Sequence, residues 1–215
     1  MRINWIGHSC FLIITSENTS ILVDPFEGMD LDSLYEVYPT IDVVTTSHKH
    51  FDHSYIDPFK SSSLIIDEAK PYVFKDLKIQ GYSSYHDDYG GLKRGENIVY
   101  TISTENFNLC HFGDIGHIPS KELIEKIGDL TVLFIPVGGN TTLDGNKAYS
   151  TTKLIKSNII IPMHYKTKNY LFLTEDASRF IVNIKNVIKH DSYELILHDS
   201  INKLHNQVVL LNSLQ

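Results

Sequence analysis

The chain has 215 residues with 42% hydrophobic and 21% charged side chains, enough for one sizeable core, and no apolar run near the roughly 20 residues that span a bilayer. Its formal net charge of −7 argues against broad nucleic-acid affinity, which rests on Lys and Arg neutralising phosphates. MRINWIGHSCFLI carries no sustained apolar stretch with a small-residue cleavage site, so the expectation is a single-domain cytoplasmic protein over residues 1–215, with no membrane partner.

The first third is strand-rich. RINWIG, CFLIIT and SILVDPF are short apolar or alternating segments separated by the turn-like GHS and SENT, a β-meander leading to Asp24. TIDVVTT follows as a further strand. SLIID, YVF, KIQGYSSYH, ENIVYTIS and FNLCHFGD continue the β pattern, with DDYGGLKRG as a loop between two of them. Helices come later. PSKELIEKIGD places Leu123, Ile124 and Ile127 at helical spacing with Gly128 as its stop, NKAYSTTKLIKSN is a second helix, and TEDASRFIVNIKNVI is a third with Thr174 as its N-cap. TVLFIPV, NIIIPMH, YELIL and QVVLLN complete the strands. Repeated strands with helices over their outer faces predict a layered α/β protein with two sheets between helices.

The chemistry gathers at strand ends. SHKHFDHS, directly after TIDVVTT, packs three histidines and an aspartate into eight residues, and such groups brought together would repel or shift their pKa values unless something holds them. A metal ion is the usual answer. His48 and His50 leave the strand together and can turn toward one ion, while Asp52 and His53 on the next bend can face a second. His86, Asp114 and His164 each follow a strand-like run and are the further candidate ligands. Cys10 and Cys110 are too few for a disulfide framework or a Cys-rich zinc module and read as buried thiols.

HKHFDH resembles the HxHxDH signature of the metallo-β-lactamase fold, and His86, Asp114 and His164 follow in that family's order. Asp24 in ILVDPF, with GHSCFLI, GLKRGEN, FGDIG, PVGG and IPMHY, is similar to the branch of metal-dependent hydrolases that includes ascorbate-6-phosphate lactonase. Ser47 stands where threonine is common, and the expectation is a chain without the extra nucleic-acid-handling domain of the family's large ribonucleases, which argues against that activity. The resemblance implies an αββα four-layer sandwich with two divalent ions, zinc first and manganese or iron as alternatives. It places His48, His50 and His86 on one ion, Asp52, His53 and His164 on the other, and Asp114 bridging both. Asp52 and Asp114 carry the catalytic role, Asp52 by orienting the nucleophile, and Asp24 steers a ligand loop. The implied reaction is metal-assisted hydrolysis, with activated bridging water attacking a carbonyl carbon or phosphorus.

The expected substrate is a small, anionic or polarised ester-like molecule, a lactone or phosphodiester, and a homo-oligomer is compatible with the sequence. An iron-dependent redox protein on the same fold and a non-catalytic metal-binding module are the alternatives. His8 reads either as a pocket-facing supporting residue or as a histidine satisfied by backbone. His111 is a candidate support for Asp114. His117 stays open between a role at the site and an ordinary one. Tyr165 and Lys166 are candidates for substrate contact, with a solvated lysine as the alternative. The DDYGGLKRG loop either borders the pocket mouth with Arg94 or only connects two strands, while His190, His198 and His205 fit no ligand pattern.

Overall fold

The computed structural model describes residues 1–104, 106–198, 200–201 and 204–215. Strands β1 (Arg2–Gly7), β2 (Cys10–Ile14) and β3 (Ser20–Val23) form the expected antiparallel meander, with Phe11 opposite Trp5 on one side and Val23 on the other. Helix α1 (Leu31–Val37) begins at Asp30, whose side chain accepts the backbone N–H groups of Asp32 and Ser33. The chain then returns as β4 (Val43–Thr45), parallel to β3, and β5 (Leu64–Ile66), parallel to β4. Next come β6 (Pro71–Phe74), β7 (Leu77–Tyr85), β8 (Glu96–Ser103) and β9 (Asn108–His111), paired antiparallel in sequence. Helix α2 (Lys121–Ile127), capped by Ser120 and stopped at Gly128, leads into β10 (Leu130–Pro136). Helix α3 (Gly145–Thr152) leads into β11 (Ser157–Met163), and α4 (Ser178–Ile181) precedes β12 (Val187–Lys189), β13 (Glu194–Ile196) and β14 (Gln207–Leu210).

Two sheets result, with strand orders β13-β1-β2-β3-β4-β5 and β12-β14-β11-β10-β9-β8-β7-β6. In the first sheet the period-two alternation sorts side chains cleanly. Trp5, Phe11, Ile13, Ile21 and Val23 join the core shared with the second sheet, where the Phe11 and Phe134 rings meet at 4.4 Å between centroids. Leu12, Ile14, Leu22 and Val44 face the other way and pack with Leu34 of α1. A sheet buried on both faces needs apolar side chains at every position, which is why CFLII does not alternate in polarity. None of the described helices is long and apolar enough to cross a membrane.

Two expectations need correction, and one helix was not expected. The third helix is confined to Ser178–Ile181, and Thr174 does not cap it: its hydroxyl donates to the Gly138 carbonyl at 3.2 Å. Val187 and Ile188, the last two residues of the segment read as helix, instead belong to Val187–Lys189, which pairs in parallel with β14, so a neighbouring strand overrides local helical spacing. Helix α1 escaped the sequence reading because it buries one residue, Leu34, and so shows little apolar periodicity.

What matters for function is where the strands end. Gly7, Val23, Thr45, Tyr85, His111 and Met163 close six strands, and His8, Asp24, His48, His86, Asp114 and His164 lie at most three residues beyond those ends. Rigid strands therefore deliver polar side chains from distant parts of the chain to one edge of the sandwich.

Candidate metal centre

Asp114 sits at the middle of the cluster. Its Oδ2 lies 3.3 Å from Nε2 of His53, 3.3 Å from Nε2 of His86 and 3.0 Å from Nε2 of His164. The donor atoms of His48, His50 and His86 lie within 4.8 Å of one another, as do those of His48, Asp52 and His53, and those of His8, His53 and His164. All the ligand residues nominated from the sequence thus converge, with Asp114 touching one histidine of the first proposed set and two of the second. One grouping differs from the expectation: Asp52 falls within reach of His48 and His53, and it is His8 that stands with His53 and His164.

Surrounding hydrogen bonds fix how each ring points. Asp24, fully buried, accepts the Ser47 N–H at 2.7 Å and the Ser47 hydroxyl at 2.6 Å, and its Oδ2 lies 2.9 Å from Nδ1 of His53. With its proton on Asp24, the Ser47 hydroxyl can only accept from Nδ1 of His48, 2.9 Å away. His86 likewise places Nδ1 2.9 Å from the Thr141 carbonyl. In each ring Nδ1 donates to its outer partner, which aims Nε2 into the cluster, the arrangement of metal-bound histidines with an outer partner. Asn97 holds the opposite side by accepting the Asp114 N–H at 2.9 Å and donating to the Phe112 carbonyl and the Ser84 hydroxyl. Gly113 turns the chain between them at a φ of 53°, where a Cβ would come within 2.5 Å of Ser47 Cβ and closer still to Asn97 Oδ1.

Comparison with known proteins agrees with this geometry. A family model described as the beta-lactamase superfamily domain matches residues 2–164. The chain belongs to the beta-lactamase superfamily. It is 28% identical over 191 residues to a UPF0173 metal-dependent hydrolase of Thermoplasma volcanium, covering 78% of this chain and 84% of that protein. The crystal structure of a protein from Thermotoga maritima, described as a "putative Zn-dependent hydrolase of the metallo-beta-lactamase superfamily", superposes with a TM-score of 0.77 at 29% identity, covering 98% of this chain and 97% of the other. CmlA, a diiron beta-hydroxylase of Streptomyces venezuelae, shares the fold alone, with a TM-score of 0.69 at 12% identity over 98% of this chain and 52% of its own.

In this superfamily member the electrostatics of the cluster follow from crowding. Burial by itself would raise the Asp114 carboxyl, yet His164 and His53 beside it hold it well below the usual carboxylate range. Burial would lower the His53 imidazole, and Asp114 with Asp24 override it and hold the ring well above its usual range. His48, buried and next to His53, is pushed down to about 3. The carboxylates of Asp52 and Asp114 and several imidazole nitrogens converge in a small space, while Nε2 of His48 and Oδ1 of Asp114 have no hydrogen-bond partner among the described residues. Imidazole and carboxylate donors without a thiolate fit a divalent cation such as zinc, manganese or iron.

The remaining candidates separate. His111 donates from Nε2 to the Ser9 carbonyl at 2.9 Å and accepts the Gly113 N–H on Nδ1 at 3.1 Å, so it supports the Asp114 turn. Tyr165 turns away into the core against Trp5, 5.5 Å between ring centroids. His117 accepts from the Tyr85 N–H outside the cluster, and His198 and His205 are exposed. Both cysteines are buried, and burial pushes each thiol up, as expected of residues that ligate nothing. Asn97 and Thr141 were not picked out from the sequence, because single polar residues there look like ordinary strand or loop positions.

Proposed function

We propose that the protein is a metal-dependent hydrolase of small ester-like substrates, with lactones and phosphodiesters as the leading classes. The observation that carries this reading is Asp114, whose one carboxylate oxygen reaches histidines of both ligand sets and so suits two adjacent cations. When bound, such a pair supplies Lewis acidity and lowers the pKa of water toward neutrality. The protein's own part is to orient the donors through Asp24, Ser47, Thr141 and Asn97, and to place Asp52, one quarter exposed at its side chain, where it can orient water.

A cleft of about 330 Å³ opens beside His48 and His50, a size suited to a small molecule. Arg94 lines it together with Lys49, Asp67 and Glu96. Arg2 and Arg179 pair with Glu194 and Glu175, whereas Arg94 meets no carboxylate among the described residues and supports a substrate carrying an anionic group. The loop that bears Arg94 is built, not slack: Asp87 accepts four backbone N–H groups, from Tyr89, Gly91, Lys93 and Arg94, at 2.7 to 2.9 Å.

The test is elemental analysis of the purified protein joined to a screen of lactones, phosphodiesters and thioesters with zinc, manganese or iron added back. Metal-dependent turnover lost in His50→Ala supports the reading, and full activity in that variant sinks it. Selective loss of anionic substrates in Arg94→Ala supports the anion subsite. A redox role is the second reading, favoured by the thiolate-free ligand set and by the fold shared with a diiron enzyme. Visible absorption on iron loading that disappears on reduction, without hydrolysis of any ester, supports it instead.

A further inference from the structure

We propose that His8, in the turn between the first two strands, is a protein ligand of the second cation, alongside Asp52, His53 and His164. The inference rests on the metal-binding reading of the site and on nothing about the reaction.

His8 is 1% exposed, yet neither of its ring nitrogens makes a hydrogen bond with any described residue. A buried imidazole without partners forfeits its full desolvation cost, so such a ring is rare unless something outside the polypeptide meets it. Its backbone carbonyl is engaged twice, accepting the Trp5 indole N–H at 3.1 Å and the His164 N–H at 3.2 Å, while both ring nitrogens stay without a partner among the described residues.

The distances are those of ligands sharing an ion. Nε2 of His8 lies 3.4 Å from Oδ2 of Asp52, beyond the usual reach of an N–H donor to oxygen. Two ligand atoms in a tetrahedron around one zinc ion, each about 2.0–2.1 Å from it, are about 3.3–3.4 Å apart. His8, His53 and His164 offer donor atoms within 4.8 Å of one another, and the His8 ring sits 4.3 Å from His164 and 4.9 Å from His53 between centroids.

The fold also holds the ring there at a cost. His8 has a φ of 53°, in the left-handed region that a residue with a Cβ seldom adopts, and Asp24 and His164 share that strain at 47° and 51°. Strain at all three positions belongs to the same cluster. Tyr170 and Phe172 also lie against the His8 ring, at 5.6 Å and 5.8 Å between centroids, so aromatic neighbours restrict where the imidazole can turn.

The deciding experiment uses zinc as the probe. Anomalous scattering from crystals of the zinc-loaded wild-type protein is expected to place an ion about 2.0–2.1 Å from a His8 nitrogen. An ion bound by His53 and His164 but more than about 3 Å from His8 overturns the proposal while leaving the metal-binding reading intact. A zinc-soaked crystal with no ion among these residues overturns both. In solution, His8→Asn keeps a residue that tolerates the left-handed backbone and removes the reach of the ring. Its second equivalent of zinc is expected to bind more than about 100-fold more weakly, beyond the 10- to 100-fold typical of losing an outer partner. Unchanged zinc stoichiometry and affinity in a variant whose circular dichroism matches wild type rejects the assignment.

Discussion

The Asp24 carboxylate lies 2.9 Å from Nδ1 of His53, with both side chains sealed from solvent, while Nε2 of the same ring faces Asp114 at 3.3 Å. One imidazole thus links a structural carboxylate to the candidate metal centre. Asp24 also takes both donors of Ser47, the residue before His48, so a single buried anion sets the start and the end of the HKHFDH turn.

Asp24→Asn keeps the volume and removes the charge. Removing one partner of a buried ion pair costs about 3–5 kcal/mol, and urea unfolding of the metal-free protein is expected to show a loss of that order. Zinc affinity, measured by chelator competition, should fall about 10- to 100-fold as the His53 ring loses its orientation. An Asp24→Asn variant with wild-type zinc affinity would falsify the orienting role.

Metal removal should destabilise the whole fold, because the ligands come from strand ends spread between His8 and His164. A cation present at about 100 times its dissociation constant contributes about 2.7 kcal/mol, which for a domain of this size corresponds to about 5–10 °C in Tm. Calorimetry before and after chelation should show that drop, with recovery on adding zinc or manganese. A Tm indifferent to chelation and to added metal counts against any structural share of the cations.

The HKHFDH cluster and its partners were legible because ligand chemistry leaves a dense local mark at strand ends. The meander and the long apolar strands were equally plain, since Ile and Val runs bounded by turns have few other readings. Val187–Lys189 was not, because its strand character comes from pairing with Gln207–Leu210 and from nothing in its own spacing. His8 stayed ambiguous for a related reason. An isolated histidine in a turn gives no hint that both its nitrogens will be buried and unpaired, which depends on Tyr170 and His164 arriving from the far end of the chain.

Gly113→Ala tests the turn that carries Asp114. The new Cβ would collide with Ser47 and Asn97 and would force a left-handed residue where only glycine is free of strain. The combined cost is about 2 kcal/mol or more, read as a lower midpoint in urea at unchanged slope. Because the displaced Asn97 holds the Asp114 N–H, zinc stoichiometry should fall as well. A variant as stable as wild type with full zinc content would show that the turn has room that the contacts deny.

Asp87 gives a prediction in acid. Shielding from water would raise its carboxyl, but the N–H groups of Arg94, Tyr89, Lys93 and Gly91 outweigh that and hold it at about 2. A group whose folded pKa is depressed contributes stability above its unfolded value, about 3.9 for Asp, and loses that contribution as the pH falls toward the folded value. The contribution of Asp87 is therefore complete at pH 5 and fades between about pH 4 and 2. Asp87→Asn removes the titrating group and cannot accept all four N–H bonds, so the variant should be less stable at neutral pH. Its deficit against wild type should shrink across that acid window when Tm is followed against pH. The same substitution loosens the loop that presents Arg94, so turnover of anionic substrates should drop more than that of neutral ones. A deficit that stays constant from pH 5 to pH 2 would mean that the four bonds to Asp87 do not depend on its charge.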